Sequence, residues 1–215
     1  MSFRYYLYVS DSKVDMLLAQ IEPGFTRKRT AEISLGMSVA GAKRTVEAAG
    51  PGRIARLERV VRHLHEHGDV GTVDEPGQFF WGLLPMQWGL VGESAGSATV
   101  YFGGRDERTL VGLGGSAGHV LGTQQATPSE FLSPSWLPAL LHALHDPEGD
   151  EQGQDDDRAA LSTVHRAHSR LRGPAQNVEF VAKRLLHGPS PYPELDGRDD
   201  MRVLLGSPLY VALVD

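Results

Sequence analysis

The sequence predicts an α+β fold, a mostly antiparallel sheet with helices packed on it, folded as a single domain over residues 1–215. Three observations support this. Residues 31–39 alternate strictly between apolar and polar, the period of a half-buried antiparallel strand. Two apolar runs flank the polar turn Gly104-Arg-Asp-Glu-Arg108, a hairpin pattern. Amphipathic helical stretches are interspersed among such runs without regular βαβ alternation.

Taken in order, Arg4 to Val9 reads as a strand, because Tyr5, Tyr6, Tyr8 and Val9 favour extended structure. Ser10-Asp11-Ser12 stops it. Ser12 with Asp15 suggests a capping box for a helix whose apolar face is Val14, Leu17, Leu18 and Ile21. In the alternating segment Ala31, Ile33, Leu35, Met37 and Val39 share one face, and Gly41 marks a bulge. Arg53 to His67 is an amphipathic helix with Ile54, Leu57, Val60, Val61 and Leu64 inward and Gly68 closing it.

Gln78 to Val91 is the most aromatic segment. Pro85 divides it, so it reads as two short strands or a strand and an irregular wall. The runs 98–103 and 109–113 form the hairpin. A helix is expected from Pro134 through Leu144, and another over Arg158 to Arg172 with Leu161, Val164 and Leu171 inward. Gly173-Pro174 ends that helix, and Val178, Val181, Ala182 and Leu185 predict one more. Val203 to Val214 returns to the sheet as two apolar halves around Gly206-Ser207-Pro208.

Composition narrows the function classes. The chain has no cysteine, which excludes disulfides and thiolate metal sites. No stretch of about 18 apolar residues is present, so no membrane span is expected. The N-terminus lacks a signal-peptide pattern, and the expected location is the cytoplasm. The net charge of −6 argues against broad nucleic-acid binding. Local basic groups at Arg27-Lys28-Arg29 and from Arg53 to Arg62 read as solvated faces. Seven acids within residues 146–157 mark a solvated, flexible loop.

The segment Thr109 to Gly122 carries the most chemistry. A strand-like run opens into Gly114, Gly115, Ser116, Gly118 and His119, and glycine backbone admits close approach of a ligand. Gly114 to Gly118 satisfies G-x-S-x-G, the serine-hydrolase elbow, but that elbow requires a helix directly after the serine. His119-Val-Leu-Gly-Thr123 does not begin a helix. Gly112 to Ala117 also matches G-x-G-x-x-A, which meets the same objection as a dinucleotide turn. His63 and His67 share a helical face and read as a surface pair rather than a metal site. Trp81, Trp88 and Tyr101 read as core, with a pocket wall as the alternative.

Tyr6-Leu-Tyr-Val-Ser-Asp-Ser-Lys-Val-Asp-Met-Leu17 resembles the opening of an uncharacterised actinobacterial protein family. Gly112-Leu-Gly-Gly-Ser-Ala-Gly-His-Val-Leu-Gly122 and Leu205-Gly-Ser-Pro-Leu-Tyr-Val-Ala-Leu213 resemble its later blocks. Such proteins are similar in setting to components of predicted bacterial conflict systems that couple caspase-like proteases to TPR proteins. The resemblance implies an accessory, sensor or adaptor role and carries no catalytic residue.

The leading expectation is therefore a non-enzymatic cytosolic binding module. Gly114, Gly115, Ser116 and His119 would meet a small polar ligand or a partner peptide, with Asp11, Lys13 and Ser207 converging on the same end of the sheet. No cofactor, metal, nucleic-acid or membrane partner is expected. The alternative is a hydrolase with Ser116 as nucleophile.

Overall fold

The computed structural model describes residues 3–22, 51–91, 99–122, 156–192 and 200–214. The alternating segment 31–39, the bulge at Gly41, the helix 134–144 and most of the acidic loop lie outside the described residues. The chain divides into two compact units, one of residues 1–9 and 69–215 and one of residues 10–68.

The first unit is a barrel. Its strands are β1 (Tyr5–Val9), β2 (Val70–Gly71), β3 (Phe79–Val91), β4 (Thr99–Arg105), β5 (Thr109–Ser116), β6 (Gln176–Pro189) and β7 (Arg202–Leu213). Hydrogen-bonded neighbours run β3-β4-β5-β7-β6 and back to β3, which closes five strands into a ring. The expected open sheet is thus corrected to a barrel, while its mostly antiparallel character stands. Among these pairings only β5 with β7 and the two-residue β2 with β3 are parallel.

Closure depends on long strands that change partners. Along one edge of β7, β5 covers Arg202 to Gly206 and β1 covers Tyr210 to Leu213. Its other edge belongs to β6 throughout, through two register shifts. Such irregularities bend a strand and sharpen its twist.

Interior and exterior follow the pleat. Phe80, Leu84 and Met86 of β3, Val100 and Phe102 of β4, and Val111 and Leu113 of β5 fill the barrel. Val178, Phe180 and Ala182 of β6, Leu204 and Val211 of β7, and Tyr8 of β1 complete this core. Burying a side chain of this size contributes about 1.5–3 kcal/mol. Space for the rings comes from missing side chains. A Cβ on Gly206 would collide with Phe80, and one on Gly115 would overlap the phenol of Tyr8.

A second core lies outside the barrel beneath helix α3 (Asp156–Arg170, numbered here after two helices described below). Leu161, Val164 and Ala167 pack on Tyr101, Leu110, Val203 and Leu205, with Leu171 partly buried beside them. Strands covered on both faces read as continuous apolar runs, which is why β4 and β7 lack clean alternation. Buried Ser162 and Thr163 return their hydroxyl protons to Arg158 O and Ala159 O, both at 2.9 Å. The helix begins at Asp156, so the last two acids of the expected loop are helical.

Two further expectations are corrected. Residues 79–91 form one strand despite Pro85. On one edge β6 pairs with residues 79–86, and on the other β4 pairs only from Met86 onward, so Pro85 sits where that second edge is still unpaired. The helix predicted after Gly173-Pro174 is strand β6. Val178, Val181, Ala182 and Leu185 fit a helical stripe, but Val178, Phe180 and Ala182 at period two reach the barrel core. Gly173 adopts φ +103°, which ends α3 as expected.

The second unit contains α1 (Asp11–Ile21) and α2 (Pro51–His67). Val14 and Leu18 of α1 and Leu57, Val60 and Leu64 of α2 are buried. Three ion pairs join the helices: Asp11 with Arg53 at 2.7 Å, Asp15 with Arg56 at 2.9 Å, and Glu22 with Arg59 at 3.2 Å. Both numbers rise together, so α1 and α2 run in the same direction. Ser10, not Ser12, precedes the first turn, and Asp15 is engaged by Arg56 rather than in a capping box. Gly68 closes α2 by donating its N–H to Leu64 O at 2.8 Å.

Two glycine replacements separate tight packing from free space. Gly115→Ala is expected to destabilise by about 1–3 kcal/mol, because the added methyl must displace the Tyr8 ring. Gly52→Ala, with nothing within 4 Å, is expected to be neutral or to stabilise α2 by up to about 1 kcal/mol. Urea denaturation of both variants checks the contrast.

Candidate functional site

The predicted glycine segment ends β5 at one mouth of the barrel. Gly114, Gly115 and Ser116 pair with Tyr101, Val100 and Thr99 of β4, so all three are ladder residues. Gly115 belongs to the inner face, beside Tyr8, whereas Gly114 and Ser116 alternate to the outer face. Upstream, Gly112 makes room for Tyr101 and Val164. Gly112 and Gly115 are explained by aromatic rings lying close to bare backbone.

After Ser116 the chain makes a short 3-10 turn, Ala117–His119. Half-buried Ser116 accepts a hydrogen bond at Oγ from the Gly118 N–H at 3.3 Å, which caps the turn. Val120 then bridges to Tyr8, and Leu121 N–H donates to Leu7 O at 2.8 Å. The segment is thereby drawn along β1. Ser116 leads into a single 3-10 turn, not the α-helix that a serine-hydrolase elbow employs. Gly112 and Gly114 lie inside the strand, where a dinucleotide turn would have to open a helix.

His119 is half-buried with its ring 5.9 Å from that of Tyr8, edge-on at 79°. Tyr8 stands 6.2 Å from Phe102, also edge-on. Phe102 meets Trp88 at 5.9 Å and 30°. Edge-to-face and tilted contacts of this kind add about 0.5–1.5 kcal/mol each beyond burial. The four rings form an arc from the Gly/Ser/His turn across the mouth to β3. Tyr8 and Phe102 are fully buried, while Trp88 is 37% exposed and Leu90, two residues on, is 66% exposed.

The other predicted site residues are distributed differently. Asp11 and Lys13 lie on α1, in the helical unit, and the Asp11 carboxylate is engaged by Arg53. Desolvation lowers the Lys13 ammonium to about 8. Ser207 sits on β7 between the end of the β5 pairing at Gly206 and the start of the β1 pairing at Tyr210. It is 2% exposed, and its Oγ has no hydrogen-bond partner among the described residues.

Of the three aromatics expected in the core, only Tyr101 is there, its Oη donating to Val164 O at 3.4 Å and its pKa raised by burial. Trp81 is 43% exposed on the outer face of β3, and Trp88 belongs to the mouth. Tyr8, Phe102 and Leu90 were not singled out from the sequence as site residues, and Trp88 was read as core with a pocket wall as the alternative. Their signal is the shared inner face of β3 and β4, where Trp88 pairs with Phe102 and Leu90 with Val100.

His63 and His67 stack at 4.6 Å on α2, His67 exposed and His63 half-buried. Among the described residues no group of three or more His, Asp or Glu is placed to hold a metal ion. Nor is any described helix long and apolar enough to cross a membrane.

Fold and site together define an α+β protein built on a five-stranded barrel with an aromatic mouth. The chain belongs to a family of unknown function, DUF7019, whose model matches residues 4–215. No curated protein and no solved structure matches it.

The Lys13 shift has a measurable consequence. Between pH 8 and the ordinary lysine value, about 10.4, the unfolded chain binds a proton that the folded chain has released. This contribution to stability therefore rises with pH across that window. Wild type is expected to gain stability relative to Lys13→Met between pH 8 and 9.5 in paired denaturation curves, and a constant difference would contradict the assignment.

Proposed function

We propose that the chain is a non-enzymatic binding module whose barrel mouth receives a small ligand with a flat apolar body and a polar group. The arc of rings carries this reading: it runs from fully buried Tyr8 and Phe102 to exposed Trp88, with Leu90 alongside. Binding sites are commonly concave and apolar, with a few polar groups fixing orientation. The ligand's flat portion would lie on Trp88 and Leu90. Its polar group would meet His119 and the Ser116 turn.

Gly115 supports the mouth by letting Tyr8 approach, in place of cradling an anion with its amide. Ser207, Asp11 and Lys13 are not part of the proposed contact. The resemblance to an uncharacterised actinobacterial family, and through it to conflict systems, supports an accessory sensing role in the cytoplasm. The hydrolase alternative gains nothing from a serine that caps a 3-10 turn.

A nucleotide and metabolite panel read by thermal shift tests the proposal. A true ligand at 100-fold its Kd is expected to raise the Tm by roughly 5–10 °C. Trp88→Ala should abolish the shift and Ser116→Ala should leave most of it. Fluorophosphonate labelling that disappears in Ser116→Ala would instead establish a hydrolase. A partner protein that co-purifies and is lost in Trp88→Ala, without any small-molecule shift, would establish an adaptor.

A further inference from the structure

The barrel's other end has the opposite chemistry. Arg202 opens β7 beside Thr109, which opens β5, whereas Ser116 closes β5 seven residues on, about 23 Å away at strand rise. Across the β6–β7 ladder, Arg184 pairs with Gly206, His187 with Leu204 and Pro189 with Arg202. Leu204 and Gly206 face the barrel interior, so the register brings Arg184, His187 and Arg202 to one face at its rim.

Arg202 Nε donates to His187 Nε2 at 2.8 Å. The imidazole is therefore neutral, and its proton is on Nδ1. Arg184 uses one guanidinium nitrogen to donate to Pro76 O at 2.9 Å, which ties the 72–78 loop to β6. Neither guanidinium has an ion pair with a carboxylate among the described residues. Nearby Asp74 is engaged by Arg108 at 3.7 Å and by the Thr109 hydroxyl at 3.5 Å. What remains is two cations and an imidazole N–H, all donors, gathered with no carboxylate paired to them among the described residues, in a chain of net charge −6.

We infer that Arg184, His187 and Arg202 form a binding site for a phosphate-class dianion, either free phosphate or a phosphate monoester. Two guanidinium forks match the charge of such an anion and its several acceptor oxygens. The imidazole Nδ1–H supplies a third, directional donor. Burial, followed by the positive charges of Arg202 and Arg184, holds His187 below the usual imidazole pKa. A bound dianion reverses the electrostatic part of that effect, so occupancy is reported by the histidine itself.

The test is an NMR titration of the full chain with inorganic phosphate, following the His187 imidazole signal assigned by its loss in His187→Gln. A saturable shift and a rise in the His187 pKa are expected. Arg184→Gln should weaken phosphate binding about tenfold or more, the scale of one charge-assisted hydrogen bond. Arg184→Lys, which keeps the charge and loses the fork, should fall between the two and guards against a folding defect in Arg184→Gln. Tighter binding of inorganic phosphate than of glycerol 3-phosphate identifies a free-phosphate site, and the reverse identifies a monoester site. A shift reproduced by chloride at equal ionic strength, or an affinity unchanged in both Arg184 variants, overturns the inference.

Discussion

Strand β6 is hydrogen-bonded along both edges, to β3 from Gln176 to Lys183 and to β7 from Val178 to Pro189, and this double engagement turns the sheet into a ring. Without it the order β1-β7-β5-β4-β3-β2 would be an open sheet with two exposed edges, the arrangement most prone to wrong pairing. Everything inside depends on that closure. Phe80 and Phe180 meet edge-on at 5.8 Å across the β3–β6 seam, and the absent side chain of Gly206 leaves room for Phe80. The register shifts in β6 next to Ala182 and before Leu186 are the bends that a ring this small requires.

Closure also gives the barrel two unlike ends. At one, rings reach outward from the core until Trp88 and Leu90 meet solvent. At the other, Arg184, His187 and Arg202 form a cationic rim beside the loop that carries Val73 into the core. On the outer wall, Glu179 accepts from the Tyr210 hydroxyl at 2.5 Å and pairs with Arg4 at 2.8 Å. The Tyr210 proton is held tightly there, chiefly by burial and then by this hydrogen bond. Tyr6 packs edge-on against Tyr210 at 5.7 Å, so β1 is fixed to the wall by side chains as well as by its short ladder.

Local pattern and long-range pairing were not equally legible in the sequence. The first strand, the helices 11–21, 51–67 and 156–170, and the β4–β5 hairpin all follow from short-range signals, and they stand where those signals placed them to within two or three residues. The barrel does not follow, because nothing in residues 176–189 states that two strands distant in sequence will claim both edges. Val181 is buried on the outer face while Val178 and Phe180 are buried on the inner one, and apolar residues on both sides imitate a helical stripe. Pro85 misled for a related reason: its tolerance depends on where β4 begins, which only the folded register determines. The site was half visible. The Gly/Ser/His turn drew attention correctly to a strand end, but Gly112 and Gly115 answer to Tyr101 on the neighbouring strand and to Val164 and Tyr8, both distant in sequence.

The parallel pairing of residues 109–113 with 202–206 has a consequence for the order of assembly. Of the described strands β7 is synthesised after the others, and it is the one that β1, β5 and β6 all require. Until it emerges, the earlier strands can form the β3–β4–β5 meander but cannot seal it, and β1 waits for residues 210–213 to complete its ladder. Contacts of such wide sequence separation slow folding. Until β7 is made, the nascent chain therefore carries an unsatisfied sheet edge, open to pairing with the wrong strand.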